Sequence, residues 1–400
     1  MTDAVITGLG AVSPVGLGAS ETWKAMLNGR SGIDRIRRFD SSTYAVTLAG
    51  EISNFDDESA VGSRMMPQTD RSTRLSFAAA KECLADAVLD PSEWESYEAG
   101  VATANFAGGF DFGQRELHEL WSNGSSYVSA YQSFAWFYAV NTGQLSIRHG
   151  MRGAGGAVVA DECGGLEALA LARRNIRSGT PIQLTGAVDF SLCSWGVASL
   201  QTSGRYTERT DPATAYLPFD SRATGAVPGE GGAMMVLEDA GHAHTRGADA
   251  YARFAGHAAS FDPVPGSHTG LVRCVRTALA DAGISAGDVD VVFADGAGAV
   301  DADREEVCAL VELFGPRAIP VTVPKSTVGR LLSGGSALDV CVAVQAVRYG
   351  LVPPTVHSRP DADLPIDLVV DTPREVDVRH ALVIARGHGG LCSAVVLSRL

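Results

Sequence analysis

The chain has 400 residues, of which 46% are hydrophobic and 20% charged, and its formal net charge is −14. These values are typical of a globular protein with a large core, and they exclude binding of nucleic acid or anionic membranes through a general basic surface. The seven scattered cysteines form no CxxC pair and no histidine spacing, which favours a reducing cytoplasm and predicts no metal site. No signal peptide or membrane span is expected.

Strand-like and helix-like segments alternate along the chain. A first strand is expected at residues 3–10, followed by a helix that Ser20 would cap, and then by helices within 72–90 and 108–121. Later strands are predicted at 182–190, 232–239, 289–296, 319–324, 366–371 and 381–387. Later helices are predicted near 165–178, 269–283, 302–314 and 336–348. The alternation predicts an α/β fold with mostly buried sheets.

Two pairs of segments resemble each other across the chain. ECLADAVLD at 82–90 matches TALADAGIS at 277–285, and both close a helix before a strand. GGLEALALARRNIRSGTP at 164–181 matches GGSALDVCVAVQAVRYGLVPP at 334–354, each a GG turn followed by a helix. Because the two pairs keep the same order and a similar separation, they predict an internal duplication, with one half at residues 1–245 and the other at 246–400.

Three local patterns allow a functional reading beside a structural one. GLGAVS follows the first strand, but Ser13 replaces the third glycine of a dinucleotide-binding turn, so that function is disfavoured. Six aromatic residues lie between Tyr127 and Tyr138, and they favour a core or interface helix over a ligand cage. Cys163 lies at a predicted strand-to-helix turn, where a helix N-terminus would lower the pKa of a nucleophilic thiol.

Longer motifs carry a resemblance over nearly the whole chain. They are VITGLGAVSPVGLG, YQSFAWFYAVNTGQLSIRHGMRG, VADECGGLEALALARR, YLPFDSRATGAVPGEGGAMMVLED, VPKSTVGRLLSGG and ARGHGG. Together they resemble the ketosynthase branch of the thiolase superfamily, and most closely its chain length factors, the ketosynthase β subunits of bacterial type II polyketide synthases. The resemblance implies a thiolase-like, five-layered αβαβα fold built from two similar halves.

The same resemblance implies that the catalytic residues are lost. Active ketosynthases use Cys-His-His, and the matching positions here carry Glu162, Asp295 and Arg330. Cys163 is one position late, which rotates its side chain by about 100° on a helix, so we expect a buried, inert thiol. Chain length factors usually carry Gln at the position of Glu162. Desolvation would favour a neutral Glu162, whereas Asp295 and Arg330 could hold it ionised. A structural plug is favoured over a catalytic carboxylate.

The segment GGFDFGQRELHELW matches the family's polyketide tunnel at a heterodimer interface. By resemblance, its tunnel residues are Phe110, Gly113, Gln114 and Leu117. Without the resemblance, Phe110 and Leu117 would be read as core residues. The missing side chain of Gly113 predicts a comparatively long tunnel. The aromatic run predicts interface residues, which are Tyr131, Phe134, Trp136 and Phe137.

The resulting hypothesis is a non-condensing subunit that forms a heterodimer with an active ketosynthase α subunit, lines the elongation tunnel and limits polyketide length. Its expected partners are that subunit, an acyl carrier protein acting mainly through the subunit, and the growing poly-β-ketone chain. No cofactor is expected. One alternative is a free-standing thiolase-like acyltransferase or malonyl decarboxylase that uses Cys163 or Glu162. Another is a purely structural subunit without tunnel contact.

Overall fold

The computed structural model describes residues 3–95, 97–264 and 266–400. The α-helices are α1 Ala19–Leu27, α2 Asp57–Val61, α3 Arg71–Asp86, α4 Phe110–Asn123, α5 Val140–His149, α6 Gly164–Arg177, α7 Ser194–Gln201, α8 Pro212–Ala215, α9 Ala240–Thr245, α10 Thr269–Ala282, α11 Val300–Phe314 and α12 Ser333–Tyr349. The strands are β1 Ala4–Ser13, β2 Gly16–Leu17, β3 Ile33–Arg35, β4 Leu48–Gly50, β5 Ala99–Ala104, β6 Gly156–Val158, β7 Ile182–Asp189, β8 Gly231–Asp239, β9 Ala252–Phe261, β10 Val291–Phe293, β11 Pro320–Thr322, β12 Leu351–Val352, β13 Asp367–Leu368, β14 Arg374–Glu375, β15 His380–Arg386 and β16 Leu391–Ser398.

The main sheet repeats one topology in the two halves of the chain. The first half has the order β6-β5-β7-β8-β1 and the second has β11-β10-β15-β16-β9, with β13 added outside β11. When only these five strands are numbered along the chain in each half, both halves have the spatial order third, second, fourth, fifth, first. The parallel and antiparallel pairs also correspond. The expected similarity of the two halves is therefore confirmed, whereas the expected division after residue 245 stays a prediction.

Helices cover both faces of each half-sheet and make five layers. Helix α3 packs on β1 and β8, and α6 and α12 pack on the opposite face of the same half-sheet. Helix α12 also contacts β15, and α10 covers the outer face of β9 and β16. The two halves of the sheet join through only two residue pairs between β1 and β9. The thiolase-like αβαβα fold is confirmed, with its largest hydrophobic core around α6 and α12.

Glycines on equivalent strands let helices approach the sheet closely. A Cβ at Gly10 would lie 2.0 Å from the Ala79 carbonyl oxygen, and a Cβ at Gly256 would lie 2.2 Å from that of Ala278. Neither gap admits a side chain, so α3 and α10 pack on their strands in the same way. Gly10, the second glycine of GLGAVS, therefore allows close helix packing, which accounts for it without a bound dinucleotide.

Several expected elements differ from the structure. Ser20 does not cap α1, because the helix begins at Ala19, whose N–H donates to Glu82 Oε1 at 2.8 Å. The strand expected at 289–296 has only three residues, since the following loop carries the site described below. Strands β9 and β16 were not predicted from the sequence. None of the helices in the described ranges is long and apolar enough to span a membrane.

Candidate functional site

Three buried charged residues meet between α6, the loop after β10 and the loop before α12. Glu162 belongs to a short 3₁₀ turn, Asp161–Cys163, that leads directly into α6. Arg330 donates to both oxygens of Asp295, from Nη1 to Oδ2 and from Nη2 to Oδ1, each at 3.0 Å. Its Nε lies 3.1 Å from Glu162 Oε1, as an ion pair without hydrogen-bond alignment. The structure thus brings Glu162, Asp295 and Arg330 together as the buried ion cluster.

The pKa values of the two carboxylates in the cluster are shifted in opposite directions. Burial raises the pKa of Glu162, and the single contact with Arg330 offsets this only in part. Burial also opposes ionisation of Asp295, but Arg330 and Lys325 outweigh it and lower the pKa of Asp295. The bidentate geometry explains the difference, because charge-assisted pairs with two aligned bonds are the stronger ones. Asp295 is therefore the ionised partner that holds Arg330.

Further buried groups fix the loop that carries Asp295. The carboxylate of Glu306, on α11, accepts the backbone N–H groups of Asp295 and Gly296 at 2.8 and 2.9 Å. Lys325 pairs with Asp339 and donates to the Ala294 carbonyl oxygen at 3.2 Å. These bonds satisfy backbone groups at the end of a short strand. The cluster is consequently built into the framework of the fold.

The thiol of Cys163 bonds to the backbone near the end of β15. It is fully buried and donates to the Ala385 carbonyl oxygen at 3.3 Å, where β15 ends. Burial raises the pKa of this thiol well above its ordinary value. Since the thiolate is the nucleophilic form, the geometry opposes nucleophilic chemistry at Cys163. The expected burial of Cys163 is confirmed.

A cavity of about 370 Å³ opens beside Asp295, between the Gly387–Leu391 loop and the segment around Asp262. Neither Glu162 nor Cys163 lines it. Cys392 does, but burial raises the pKa of its thiol to about 11, so this thiol is protonated at neutral pH. Arg386 borders the cavity and pairs with Glu305 at 2.6 Å. The cavity therefore reaches the ion cluster, and the cysteine among its described lining residues is not an activated nucleophile.

The predicted tunnel residues lie on α4, and Phe110, Gly113 and Gln114 among them face α7. The rings of Phe110 and Trp195 stack at 4.9 Å between centroids. A Cβ at Gly113 would lie 3.5 Å from Trp195 Cζ3 and 3.9 Å from Trp136 Cβ, which is ordinary contact. Gln114 directs Oε1 to the start of α7, and Leu117 is half-buried one turn further along. Phe110 and Gln114 thus contact the start of α7, and Gly113 lies beside Trp195 and Trp136.

The aromatic segment between Tyr127 and Tyr138 is not the expected helix. It forms two 3₁₀ turns and an irregular stretch that ends at α5, because the Trp136 carbonyl bonds Gly109 N–H at 2.9 Å instead of a helical partner. It is also not core. Trp136 and Phe137 are 42% and 47% exposed, whereas Tyr131 and Phe134 are half-buried against each other. We call Phe110, Trp136, Phe137, Tyr138 and Trp195 the aromatic face.

The aromatic face adjoins an open sheet edge. Strand β6 pairs only with β5, so its outer backbone groups are unpaired within the described sheet. The chain following β5 passes directly into the aromatic face, since Asn105 N–H bonds the Val158 carbonyl oxygen at 3.1 Å. Open edges and exposed apolar patches are both covered in stable proteins. Together they form a surface suited to a permanent partner.

Two contributors to this surface were not identified from the sequence. Trp195 and Ser194 belong to no motif singled out there, and only the fold brings α7 against α4. The run of small and apolar residues in LCSWGVASL carries no periodicity that predicts a wall for another helix. Its one local signal was a tryptophan beside a glycine, and that signal is weak without the structure.

Comparisons with known proteins agree with the fold and the motifs. The model of the beta-ketoacyl synthase N-terminal domain matches residues 1–243, and that of the C-terminal domain matches residues 249–359. The chain is 54% identical to the actinorhodin polyketide beta-ketoacyl synthase 2 of Streptomyces coelicolor. It is 53% identical to the tetracenomycin polyketide synthase ketoacyl synthase beta subunit of Streptomyces glaucescens. Each alignment covers 99% of this chain and 98% of the relative.

Solved structures give the same result. The ishigamide ketosynthase/chain length factor superposes with a TM-score of 0.91 at 25% identity and covers 100% of this chain and 99% of that one. A second structure holds a type II polyketide synthase acyl-carrier protein in complex with its ketosynthase bound to the hexaketide. It superposes with a TM-score of 0.90 at 25% identity and the same coverage.

Proposed function

The chain belongs to the beta-ketoacyl synthase family, and from this premise we propose that it is the non-condensing subunit, the chain length factor, of a type II polyketide synthase. It forms a heterodimer with an active ketosynthase subunit, which receives acyl and malonyl groups from an acyl carrier protein. The curated relatives and the complexes described above support these partners. The location of the assembly is the cytoplasm.

One observation carries this proposal. The three positions that hold Cys-His-His in active ketosynthases hold an ion cluster here, in which Arg330 neutralises Asp295 and contacts Glu162. Condensation needs a thiolate to accept the acyl group and neutral or protonated imidazoles to stabilise the charge that develops. An arginine cannot exchange a proton at neutral pH, and Glu162 does not line the neighbouring cavity. The cluster therefore fills the lost active site.

The aromatic face supplies what remains for the subunit to do. Its exposed rings and the open edge of β6 provide an interface. The absence of a side chain at Gly113 leaves room beside Trp195 and Trp136 for a poly-β-ketone between the subunits. The length at which elongation stops follows from the depth of that space. Phe110, Gly113, Gln114 and Leu117 are the tunnel residues of this proposal, and Tyr131, Phe134, Trp136 and Phe137 are its interface residues.

Reconstitution tests the function. The chain is co-purified with the active ketosynthase subunit and supplied with malonyl-loaded acyl carrier protein, and product masses are recorded. We expect poly-β-ketones only when both subunits are present. A free-standing acyltransferase or malonyl decarboxylase would instead turn over thioester with this chain alone. If the chain is a purely structural subunit, substitutions at Gly113 should leave the product length unchanged.

A further inference from the structure

Besides its place among the proposed tunnel residues, Gln114 contacts the start of α7. Its side-chain oxygen Oε1 accepts two hydrogen bonds from the start of α7, from Ser194 Oγ at 2.9 Å and from Trp195 N–H at 2.7 Å. The first N–H groups of a helix lack partners within the helix. Gln114 therefore acts as the cap of α7, although it lies on a different helix.

The capped residue lies beside Gly113. The Trp195 indole stacks on Phe110 with an interplanar angle of 27°, and its Cζ3 lies 3.5 Å from the position of a Cβ on Gly113. Gly196 permits close packing of two rings, because a Cβ there would lie 3.0 Å from Phe190 Cε2 and 3.3 Å from Phe110 Cδ2. Trp195 remains 43% exposed.

Gln114 and the hydrophobic core together hold the start of α7. Val197 is fully buried in a core cluster, and Gly196 N–H makes a weak bond to the Cys193 sulfur at 3.4 Å. The two bonds to Gln114 join the N-terminus of α7 to α4. The placement of Trp195 against Phe110 therefore relies in part on Gln114.

We propose that Gln114 is a positioning residue for chain length, which holds Trp195 against Phe110 and Gly113 so that the indole forms the end wall of the polyketide space. This rests on the proposed function and assigns the limit to Trp195 in addition to α4. Because the indole stands on α7, the depth of the space is set by the α4–α7 contact. Loosening that contact lengthens the product.

Three variants in the complex with the ketosynthase subunit test this, with product masses as the readout. Gln114→Leu removes the acceptor and should broaden the products toward longer chains. Gln114→Glu retains carboxylate oxygens for both donors and should restore the parent product. Trp195→Ala removes the wall and should lengthen the main product by at least one ketide unit. His118→Leu, on the exposed side of α4, is the control and should leave the product unchanged.

An assembled Gln114→Leu complex with the parent product distribution would overturn the proposal. If that variant does not assemble, Trp195→Ala decides, and an unchanged product length would overturn it. Gly113→Phe distinguishes a failure of the positioning role of Gln114 from a failure of the proposed function. Should it shorten the product while the Gln114 and Trp195 variants change nothing, the positioning role fails and the proposed function stands. Should no variant change the length, the proposed function fails as well.

Discussion

The buried ion cluster and the aromatic face are built by opposite means. At the cluster, a guanidinium and two carboxylates fill the position that we propose for a lost active site, and Glu162 and Arg330 are each only 3% exposed. At the aromatic face, by contrast, large rings remain exposed to solvent. The buried ion cluster is held together by ion pairs and is closed to solvent. The aromatic face, which we propose as the site of the partner, is apolar and exposed. The predictions below separate these two kinds of site.

The largest effect is expected for Arg330→Met. Removing the guanidinium leaves two buried carboxylates without their cation, and breaking such a buried network costs about 3–5 kcal/mol. We expect a loss of this size in the urea unfolding of the heterodimer. The control is Arg276→Met, which removes an exposed pair with Glu312 and should cost at most about 1 kcal/mol. Equal losses for the two variants would show that the cluster does not stabilise the fold.

The next effect concerns assembly through the aromatic face. Trp136→Ser and Phe137→Ser remove exposed rings near the open edge of β6, and buried interface aromatics typically contribute about 2 kcal/mol or more. We expect each variant to weaken the heterodimer by at least tenfold in sedimentation experiments. Tyr349→Ser removes an exposed ring at the end of α12, on another surface, and should leave assembly unchanged. A parent-like dissociation constant for Trp136→Ser would place the interface elsewhere.

The sequence predicted the ion cluster better than the aromatic face. Glu162, Asp295 and Arg330 each occupy a fixed position relative to a motif, so their meeting could be expected before the structure was known. The orientation of Cys163 followed from one residue of helical register. The aromatic run was expected to be a helix, but it forms short 3₁₀ turns, and the carbonyl of its Trp136 accepts the N–H of Gly109 at the start of α4. Trp195 was missed because only tertiary packing brings α7 to Gly113.

The third prediction concerns Gly113 beside the aromatic face and its effect on product length. Gly113→Phe places a ring between Trp195 and Trp136, where a Cβ meets only ordinary contacts. Overpacking costs about 1–3 kcal/mol, which the complex should tolerate while its product shortens by one or more ketide units. His118→Phe adds the same ring to the exposed side of α4 and should not change the product. A parent-length product from an assembled Gly113→Phe complex would exclude Gly113 from the tunnel.

The smallest effect is a difference in pH dependence within the ion cluster. The raised pKa of Glu162 means that its ionisation costs stability, so Glu162→Gln should gain stability relative to the parent as pH rises above 4.5. The lowered pKa of Asp295 has the opposite sign. Its contribution is present above pH 3.8 and is lost as pH falls further, so the cost of Asp295→Asn should shrink in acid.

Urea unfolding of both variants between pH 3 and pH 8 measures these trends, with about 1.4 kcal/mol for each unit of pKa shift. Parallel curves for the two variants would mean that the carboxylates share one environment. That result would contradict the assignment of Asp295 as the principal partner of Arg330.

Intact-protein mass spectrometry of the heterodimer tests the central claim most directly. The complex is incubated with an acyl carrier thioester, and the mass of each subunit is recorded. We predict an acyl adduct on the active ketosynthase subunit and none on this chain, because Cys163, the thiol next to the nucleophile position, is buried and has a raised pKa. A stoichiometric acyl adduct on Cys163 would contradict the account.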